Sequence, residues 1–493
     1  MTNQFDIESS HKSSSRKKKI IIAVIAILMV ALLILDKDEH HIASKPLNII
    51  FMIGDGFGPA AAVMARAAMK QRTNGNITSL NLDKYLVGTV RTYSSSSMVT
   101  DSAAGATAYA TGHKSYNGAI SVDPIKMKPL GTLFEAAQVK GIRTGVAVTT
   151  RISDATPACF FAHATSRKSE DFIISQLLEK NLTVALGGGA LYFNKTVFEN
   201  AANANNNYKV VRDREAMLNV TEGKILGVFV DYDMPYEIDR INQKIDVPTL
   251  NEMTVKSLEL INQNNENGFL LMVEGSQIDI AAHSNDAAGQ IWETFQFDQA
   301  FQTVIDFAKK DGNTLVIVTA DHETGGITLG MQPDPKEYPQ YEWHPETLLK
   351  LNASAHYMAT QLFNTTLFPT IDATIITNYV NAHADGLNIT FTSDEMNLLM
   401  FFATPRNDEK VWNFEQFLGQ YISRRAWVGF TTGGHTGVDV NLYYYYSGDD
   451  EDLQEDHIRA NVENIDVANF IAKAMDLDLP AMTAKYANFV PSP

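Results

Sequence analysis

Short apolar runs recur along this chain, and each ends at small or polar residues. Leu47–Ile53 reads LNIIFMI and is followed directly by Gly54 and Asp55. A run that is apolar on both faces is typical of a buried parallel strand. The same pattern predicts further strands at Thr144–Thr149, Gly268–Val273 and Thr314–Thr319.

Segments with helical periodicity separate these runs. Gln290–Lys310 carries an apolar stripe at spacings of three and four residues. Alternating strands and helices predict an α/β fold, with a central, mostly parallel sheet flanked by helices on both faces. In such sheets, ligands bind beyond the carboxyl ends of the strands. The other predicted helices are Leu133–Lys140, Glu252–Gln263 and Asp466–Met475.

Met331–Tyr421 departs from this pattern, because it is rich in Pro, Asn, Thr and aromatic residues and has weak periodicity. We interpret roughly 331–421 as a surface insertion and a candidate oligomer contact. The sheet is expected to resume at Tyr443–Tyr446. The acidic run Asp449–Asp456 is expected to form a solvated loop.

The amino-terminal region resembles a membrane anchor. Residues 1–19 are polar and end in four basic residues, and Ile20–Leu35 is an unbroken apolar run. Basic residues before such a run stay on the cytosolic side. We therefore predict a cytosolic basic tail (1–19), a transmembrane signal anchor (20–35), a tether (36–46) and a translocated domain (47–493). A cleaved signal peptide is the alternative, but no small-residue cleavage site follows Leu35.

Sequons for N-glycosylation support translocation, because all of them follow the apolar run. A single-pass type II protein would expose its catalytic domain to an organelle lumen or to the cell exterior. The candidate asparagines are Asn76, Asn181, Asn194, Asn219, Asn352, Asn364 and Asn388.

Charge and cysteine content restrict the chemistry. With 40 basic and 57 acidic residues, the chain has a net charge of −17 at pH 7, which argues against nucleic-acid binding. The single cysteine, Cys159, excludes an intrachain disulfide and a cysteine-rich zinc site. Any bound metal must therefore use His, Asp, Glu, Ser or Thr.

Thr100–Gly112 reads TDSAAGATAYATG and places Ser102, preceded by Asp101, at the start of a helix of small residues. A helix start favours negative charge, so Ser102 could act as an alkoxide or accept a phosphate. An ordinary N-cap serine is the alternative.

Candidate metal ligands follow two of the predicted strands. Glu274, Asp279 and His283 stand in VEGSQIDIAAH, where a helix would place the last two on one face. Asp321 and His322 stand in TADHETGG. His and carboxylate together suit zinc, whereas Glu with Thr oxygens suits magnesium. Each of these residues, considered alone, could instead have an ordinary structural role. It could belong to a pair on a helix surface, lie in a turn, or be a core histidine with its hydrogen bonds satisfied.

Four more candidate residues lie at predicted turns or strand ends. A further candidate is Arg167, in AHATSRKS, whose planar guanidinium could bind two phosphate oxygens. Each could also be an ordinary turn, loop or surface residue. Together, all these groups suffice for two zinc ions and a harder cation, which could assist an in-line displacement. The four are Asp55, Asp154, Thr156 and His435.

These motifs resemble the alkaline phosphatase family in their order along the chain, from Leu47 to Tyr446. The basic tail, the anchor and the lack of disulfides look most like the membrane-anchored vacuolar enzymes of fungi. The motifs that carry the resemblance are IGDGFG, TDSAAGATAYATG, ATGHKSYNGAI, DATPA with HATSRK, VEGSQIDIAAHSND, VTADHETGG and GGHTG.

The resemblance implies hydrolysis of phosphate monoesters, phosphopeptides included, through a phosphoserine, with two Zn²⁺ and one Mg²⁺ per subunit of a homodimer. Ser102 would be the nucleophile and Arg167 the phosphate ligand. Asp154 would support the magnesium site without binding the ion directly, and Asp101 would likewise contact site residues without binding an ion. The implied metal ligands are Asp279, His283 and His435 for one zinc, Asp55, Asp321, His322 and Ser102 for the other, and Asp55, Thr156 and Glu274 for magnesium.

Two departures from the family are visible. Ile280 stands where many relatives have His or Lys near the phosphate, and Val230 stands where animal relatives place a carboxylate for calcium. The resemblance therefore implies weaker phosphate binding and no such calcium site. A phosphodiesterase, a sulfatase and an inactive adhesion glycoprotein are the competing functions.

Overall fold

The computed structural model describes residues 45–455, 457–486 and 488–491. The predicted tail (1–19), the predicted anchor (20–35) and most of the predicted tether (36–46) lie outside these residues. Within the described ranges, no helix is long and apolar enough to cross a membrane.

Strands of the described residues form one large sheet and two small ones. The strands are β1 (Asn48–Ile53), β2 (Leu86–Arg91), β3 (Arg143–Arg151), β4 (Val184–Gly188), β5 (Tyr208–Val211), β6 (Lys224–Val228), β7 (Phe269–Glu274), β8 (Thr314–Thr319), β9 (Glu323–Thr324), β10 (Ile327–Leu329), β11 (Val428–Phe430), β12 (His435–Thr436), β13 (Val440–Tyr446) and β14 (Ala460–Glu463).

The large sheet has ten strands in the order β14–β2–β13–β8–β1–β7–β3–β4–β6–β5. Its pairs are parallel except that β13 runs antiparallel to both of its neighbours. Two antiparallel pairs, β9 with β12 and β10 with β11, form the small sheets.

Helices connect and flank the strands. They are α1 (Pro59–Arg72), α2 (Ser102–Thr111), α3 (Leu133–Val139), α4 (Ala155–Phe161), α5 (Glu170–Leu177), α6 (Lys195–Ala202), α7 (Arg214–Leu218), α8 (Glu237–Asn242), α9 (Leu250–Ile261), α10 (Gln277–His283), α11 (Ala287–Asp311), α12 (Pro345–Leu348), α13 (Ala355–Phe363), α14 (Ala373–Ala382), α15 (Ser393–Phe402), α16 (Asp408–Arg425), α17 (Glu451–Glu455), α18 (Asn464–Ala474) and α19 (Leu479–Lys485).

The centre of the sheet is buried on both faces. Every residue of β1, β7 and β8 is buried. Since alternate side chains of a strand point to opposite faces, complete burial requires cover on both sides. This confirms the predicted α/β architecture and the strands predicted at 47–53, 144–149, 268–273 and 314–319, whose bounds shift by two residues or fewer. The predicted helices at 133–140, 252–263, 290–310 and 466–475 are also present, as α3, α9, α11 and α18.

Strand register sets the position of the polar residues that follow the strands. Ile53 of β1 pairs with Glu274 of β7 on one side and with Thr319 of β8 on the other. Val148 of β3 also pairs with Glu274. The carboxyl ends of these four strands therefore lie together at one edge of the sheet.

Three segments differ in detail from their sequence patterns. The sheet resumes at β13, but this strand is antiparallel, because the chain starts it from the carboxyl edge after β12. The 331–421 segment, despite its weak periodicity, contains α12–α15 and most of α16. Leu399 is the only buried residue among the described residues of α15. This helix therefore shows no broad apolar stripe. The acidic run at 449–456 contains the short helix α17 instead of an irregular loop.

The buried centre generates a stability prediction. Phe51 of β1 is fully buried and packs edge-on against Tyr109, with ring centroids 5.4 Å apart. Phe51→Ala is expected to lower the free energy of unfolding by about 3–5 kcal/mol, because truncation leaves a cavity. Phe401→Ala is the matched control, since Phe401 of α15 is 62% exposed. Denaturant unfolding with metals present would measure the free energy of unfolding of both variants. An equal decrease in the two variants would contradict the assignment of Phe51 to the core.

Candidate active site

Acidic and histidine side chains converge at the carboxyl edge of the sheet. Asp55 follows β1, Glu274 ends β7, and Asp321 with His322 follows β8. All four are buried. Gly56, at φ 69°, lets the turn after β1 approach Asp279 of α10, since a Cβ there would lie 2.7 Å from the Asp279 Cα.

Ser102 is brought to this edge by helix α2, which it begins. Asp101 caps the helix, because its Oδ1 accepts a hydrogen bond from the Ala104 N–H at 2.9 Å. The Ser102 Oγ is buried and lies 3.2 Å from the His322 Nε2. The start of a helix favours a negative charge on this oxygen or on a group bound to it.

Small residues let α2 approach the end of β8. Every residue of α2 is buried. A Cβ built on Gly105 would lie 3.2 Å from the Asp321 Cβ and 3.3 Å from its carbonyl oxygen. Glycine at this position therefore allows the close packing that places Ser102 beside His322.

Asp55, Asp321 and His322 form one cluster of possible metal ligands, with donor atoms within 4.8 Å of one another. The His322 Nε2 lies 3.1 Å from the Asp321 Oδ2 and 3.5 Å from the Asp55 Oδ1. Thr324 contacts the other ring nitrogen, Nδ1, at 3.2 Å. The ring therefore presents Nε2 towards the carboxylates and Ser102.

A second cluster comprises Asp279, His322 and His435. His283 adjoins it, because its Nε2 lies 3.1 Å from both the Asp279 Oδ2 and the His435 Nε2. The Nδ1 atoms of His283 and His435 face the carbonyl oxygens of Gly433 and Thr100, at 2.6 and 2.8 Å. With Nδ1–H donating to a carbonyl, each Nε2 keeps the lone pair that a metal needs.

Glu274, Thr156 and Asp55 lie at the third predicted metal position. The Thr156 Oγ1 lies 3.5 Å from the Asp55 Oδ2. Glu274 is fully buried, and neither of its carboxylate oxygens has a hydrogen-bond partner among the described residues. The Asp55 Oδ1 also lacks one, and the Asp321 Oδ2 has only the nearby His322 Nε2, at 3.1 Å. Buried acceptors without donors are costly, and a divalent cation would satisfy them.

The pKa shifts divide these carboxylates into two groups. Burial, reinforced by neighbouring carboxylates, raises the pKa of Asp55 and of Glu274 well above the usual range. Burial also opposes ionisation of Asp279, but His283 and His435 outweigh it and lower the Asp279 pKa. Asp55 and Glu274 therefore lack the positive charge that their ionised forms require.

Arg167 lies beside these clusters with its side chain 29% exposed. Its two terminal nitrogens lie 3.4 Å from the Asp101 Oδ2 and 3.2 Å from the Asp154 Oδ1. Its backbone N–H donates to the Gly118 carbonyl at 2.8 Å. The structure thus places the Arg167 guanidinium between two carboxylates.

The structure brings the predicted ligands to one edge of the sheet, with Ser102 beside His322, while their individual roles remain predictions. It also shows two residues that the sequence reasoning did not single out. Thr324 donates a hydrogen bond to the Asp279 Oδ1 as well as contacting His322. Arg151 pairs with Asp154 at 3.2 Å. Thr324 stands two residues after His322 in TADHETGG, so proximity along the chain could have suggested it.

A hydroxyl beside clustered histidines and carboxylates is suited to metal-assisted hydrolysis.

The protein-family model described as alkaline phosphatase matches residues 46–477. The chain is 36% identical to the alkaline phosphatase of Schizosaccharomyces pombe, over 90% of this chain and 83% of that protein. It is 35% identical to the repressible alkaline phosphatase of Saccharomyces cerevisiae, over 89% and 83%.

Among solved structures, the cold-active alkaline phosphatase of the psychrophile Shewanella sp. superposes with a TM-score of 0.74 at 35% identity. The superposition covers 87% of this chain and all of that one. The chain belongs to the alkaline phosphatase family. It is therefore a phosphoric monoester hydrolase, and the resemblance in its motifs is confirmed.

Removal of metals should be visible in both activity and stability. Prolonged chelation is expected to abolish monoester hydrolysis and to lower the melting temperature, because Asp55, Glu274 and Asp321 would face each other without a cation. Adding Zn²⁺ and Mg²⁺ back should restore both. Metal affinity is expected to fall as the pH falls, because protons compete for Asp55 and Glu274, whose pKa values are raised. Full activity after chelation, with metal content checked by elemental analysis, would contradict this expectation.

Proposed function

We propose that this protein hydrolyses phosphate monoesters through a phosphoserine formed on Ser102, using two zinc ions and one magnesium ion. The observation that carries this proposal is the position of the Ser102 Oγ, 3.2 Å from a histidine shared by both ligand clusters. Family membership supports metal-dependent phosphomonoester hydrolysis.

The donor sets fit the three ions. Histidine nitrogen with carboxylate oxygen suits zinc, and the buried oxygens of Glu274, Thr156 and Asp55 suit magnesium. Bound there, the ions would lower the pKa of the Ser102 hydroxyl and stabilise the leaving oxygen. One zinc would be held by Asp279, His283 and His435, and the other by Asp55, Asp321, His322 and the Ser102 oxygen.

Residues of this chain carry out the attack on phosphorus and bind the phosphoryl group. The Ser102 hydroxyl loses its proton to solvent, and its Oγ attacks phosphorus and forms a new P–O bond. The P–O bond to the ester oxygen breaks, and the departing oxygen takes up a proton and leaves as the alcohol. Water then breaks the phosphoserine bond and releases inorganic phosphate. Arg167 would bind two equatorial oxygens with its planar fork, and the amino end of α2 would favour the negative charge on the phosphoryl group.

Small phosphate monoesters, phosphopeptides included, are the proposed substrates, and a homodimer is the proposed assembly. Both come from family resemblance.

Ser102→Ala tests the covalent step. Turnover of a p-nitrophenyl monoester is expected to fall by orders of magnitude, because no nucleophile remains to form the phosphoserine. Zinc and magnesium content should stay close to that of the parent protein. Ser95→Ala is a suitable control, since Ser95 is exposed in the loop before α2 and should leave turnover unchanged. Near-normal turnover in Ser102→Ala would reject Ser102 as the nucleophile.

We also propose that residues after 35 are translocated, so that the catalytic domain lies in an organelle lumen, the vacuole in a fungal-type enzyme, or outside the cell. All seven sequon asparagines are exposed, which is the accessibility that glycosylation needs: Asn76, Asn181, Asn194, Asn219, Asn352, Asn364 and Asn388.

Glycosidase treatment tests this topology. Full-length protein made in fungal cells is expected to gain electrophoretic mobility after peptide N-glycosidase treatment, because the exposed asparagines would carry glycans. Protein made in the bacterial cytosol provides the unglycosylated reference. Identical mobility of the two preparations before treatment would contradict translocation of this domain.

A further inference from the structure

Arg151, the last residue of β3, is surrounded by three carboxylates. Its NH1 lies 2.6 Å from the Asp233 Oδ1, its Nε lies 3.0 Å from the Glu170 Oε2, and its NH2 lies 3.2 Å from the Asp154 Oδ1. Only 19% of the side chain is exposed. All three arms of the guanidinium are thus engaged, so its position is strongly constrained.

The Asp154 Oδ1 is shared by two arginines. The NH2 of Arg151 and the NH2 of Arg167 both lie 3.2 Å from this oxygen. Arg167 also contacts Asp101 at 3.4 Å, and Asp101 caps the helix that begins at Ser102. A row of alternating charges therefore runs from Arg151 through Asp154 and Arg167 to Asp101, beside the proposed nucleophile.

Further hydrogen bonds fix Arg151 and two of its carboxylate partners, Asp233 and Glu170. The Arg151 backbone N–H donates to the Asp233 Oδ1 at 3.0 Å, and the Ser153 hydroxyl donates to the Glu170 Oε2 at 2.5 Å. Burial alone would lower the pKa of Arg151, but Asp154, Asp233 and Glu170 outweigh it and raise that pKa. Arg151 therefore stays charged and supplies a fixed counter-charge to Asp154.

We propose that Arg151 is a positioning residue that, through Asp154, orients Arg167 for binding the phosphoryl group. The inference rests on the proposed role of Arg167. Two physical effects act in the same direction. A guanidinium held in place loses less freedom when it binds phosphate. Because Arg151 engages the same oxygen of Asp154, that carboxylate also competes less strongly with phosphate for Arg167.

A double-mutant cycle on the full-length enzyme, with Zn²⁺ and Mg²⁺ saturating, tests the proposal. The measured quantity is the inhibition constant of inorganic phosphate for Arg151→Met, Arg167→Ala and the double variant. Arg151→Met is expected to raise this constant about tenfold in the parent, since small displacements of a binding group are costly. The same change is expected to have less than about a twofold effect when Arg167 is absent.

Two further variants sharpen the test. Arg240→Met is the matched control, because Arg240 is 22% exposed and pairs with Glu237 at 2.6 Å, and it should leave the constant unchanged. Arg151→Lys should recover only part of the loss, since an ammonium cannot reproduce the planar fork. If Arg151→Met does not fold, the triple variant Arg151→Met, Glu170→Gln, Asp233→Asn removes the unpaired carboxylates as well and carries the same expectation.

The outcomes separate this inference from the proposed function. An equal effect of Arg151→Met with and without Arg167 would overturn the positioning role, and would instead indicate action through the metal sites or through stability. An unchanged inhibition constant in Arg151→Met would overturn it too. If Arg167→Ala alone left phosphate inhibition unchanged, the proposed role of Arg167 would fail, and the inference about Arg151 with it.

Discussion

Mutual repulsion among buried carboxylates is the constraint on which this structure depends. Asp55, Glu274, Asp279 and Asp321 lie at one edge of the sheet and are almost fully buried. An ionised carboxylate without a partner is very unfavourable away from water. Histidines compensate Asp279 and Asp321, but both oxygens of Glu274 and one oxygen of Asp55 lack hydrogen-bond partners in the described residues. Divalent cations would supply the missing charge, so that metal binding would complete the fold and create the catalytic site together.

Parallel strands explain how residues far apart along the chain reach this edge. The register of β1 with β7 and β8 brings Ile53, Glu274 and Thr319 level. The turns that follow must therefore meet. Close approach then depends on glycine, because a side chain at Gly105 would press against Asp321. Strand register and close backbone packing therefore set the position of the site residues.

Much of this could be predicted from the sequence, because the central strands are rich in apolar residues on both faces and each leads into a site residue. Less could be predicted where burial is partial. The helices within 331–421 show weak periodicity, and β13 gives no sign of its direction. The pairing of Arg151 with Asp233 joins residues 82 positions apart, and no local pattern marks it. Such pairs are visible only once β3 and the loop before α8 lie side by side.

By itself, the sequence determined the α/β alternation, the central strands and the set of residues available for chemistry, because burial and helical periodicity act over short stretches of chain. Only the tertiary structure decided that Ser102 adjoins His322, that His322 belongs to both clusters, and that Asp154 lies between two arginines. The reason is physical. Distances of about 3 Å between distant residues depend on strand register and on close backbone packing, which are properties of the whole sheet.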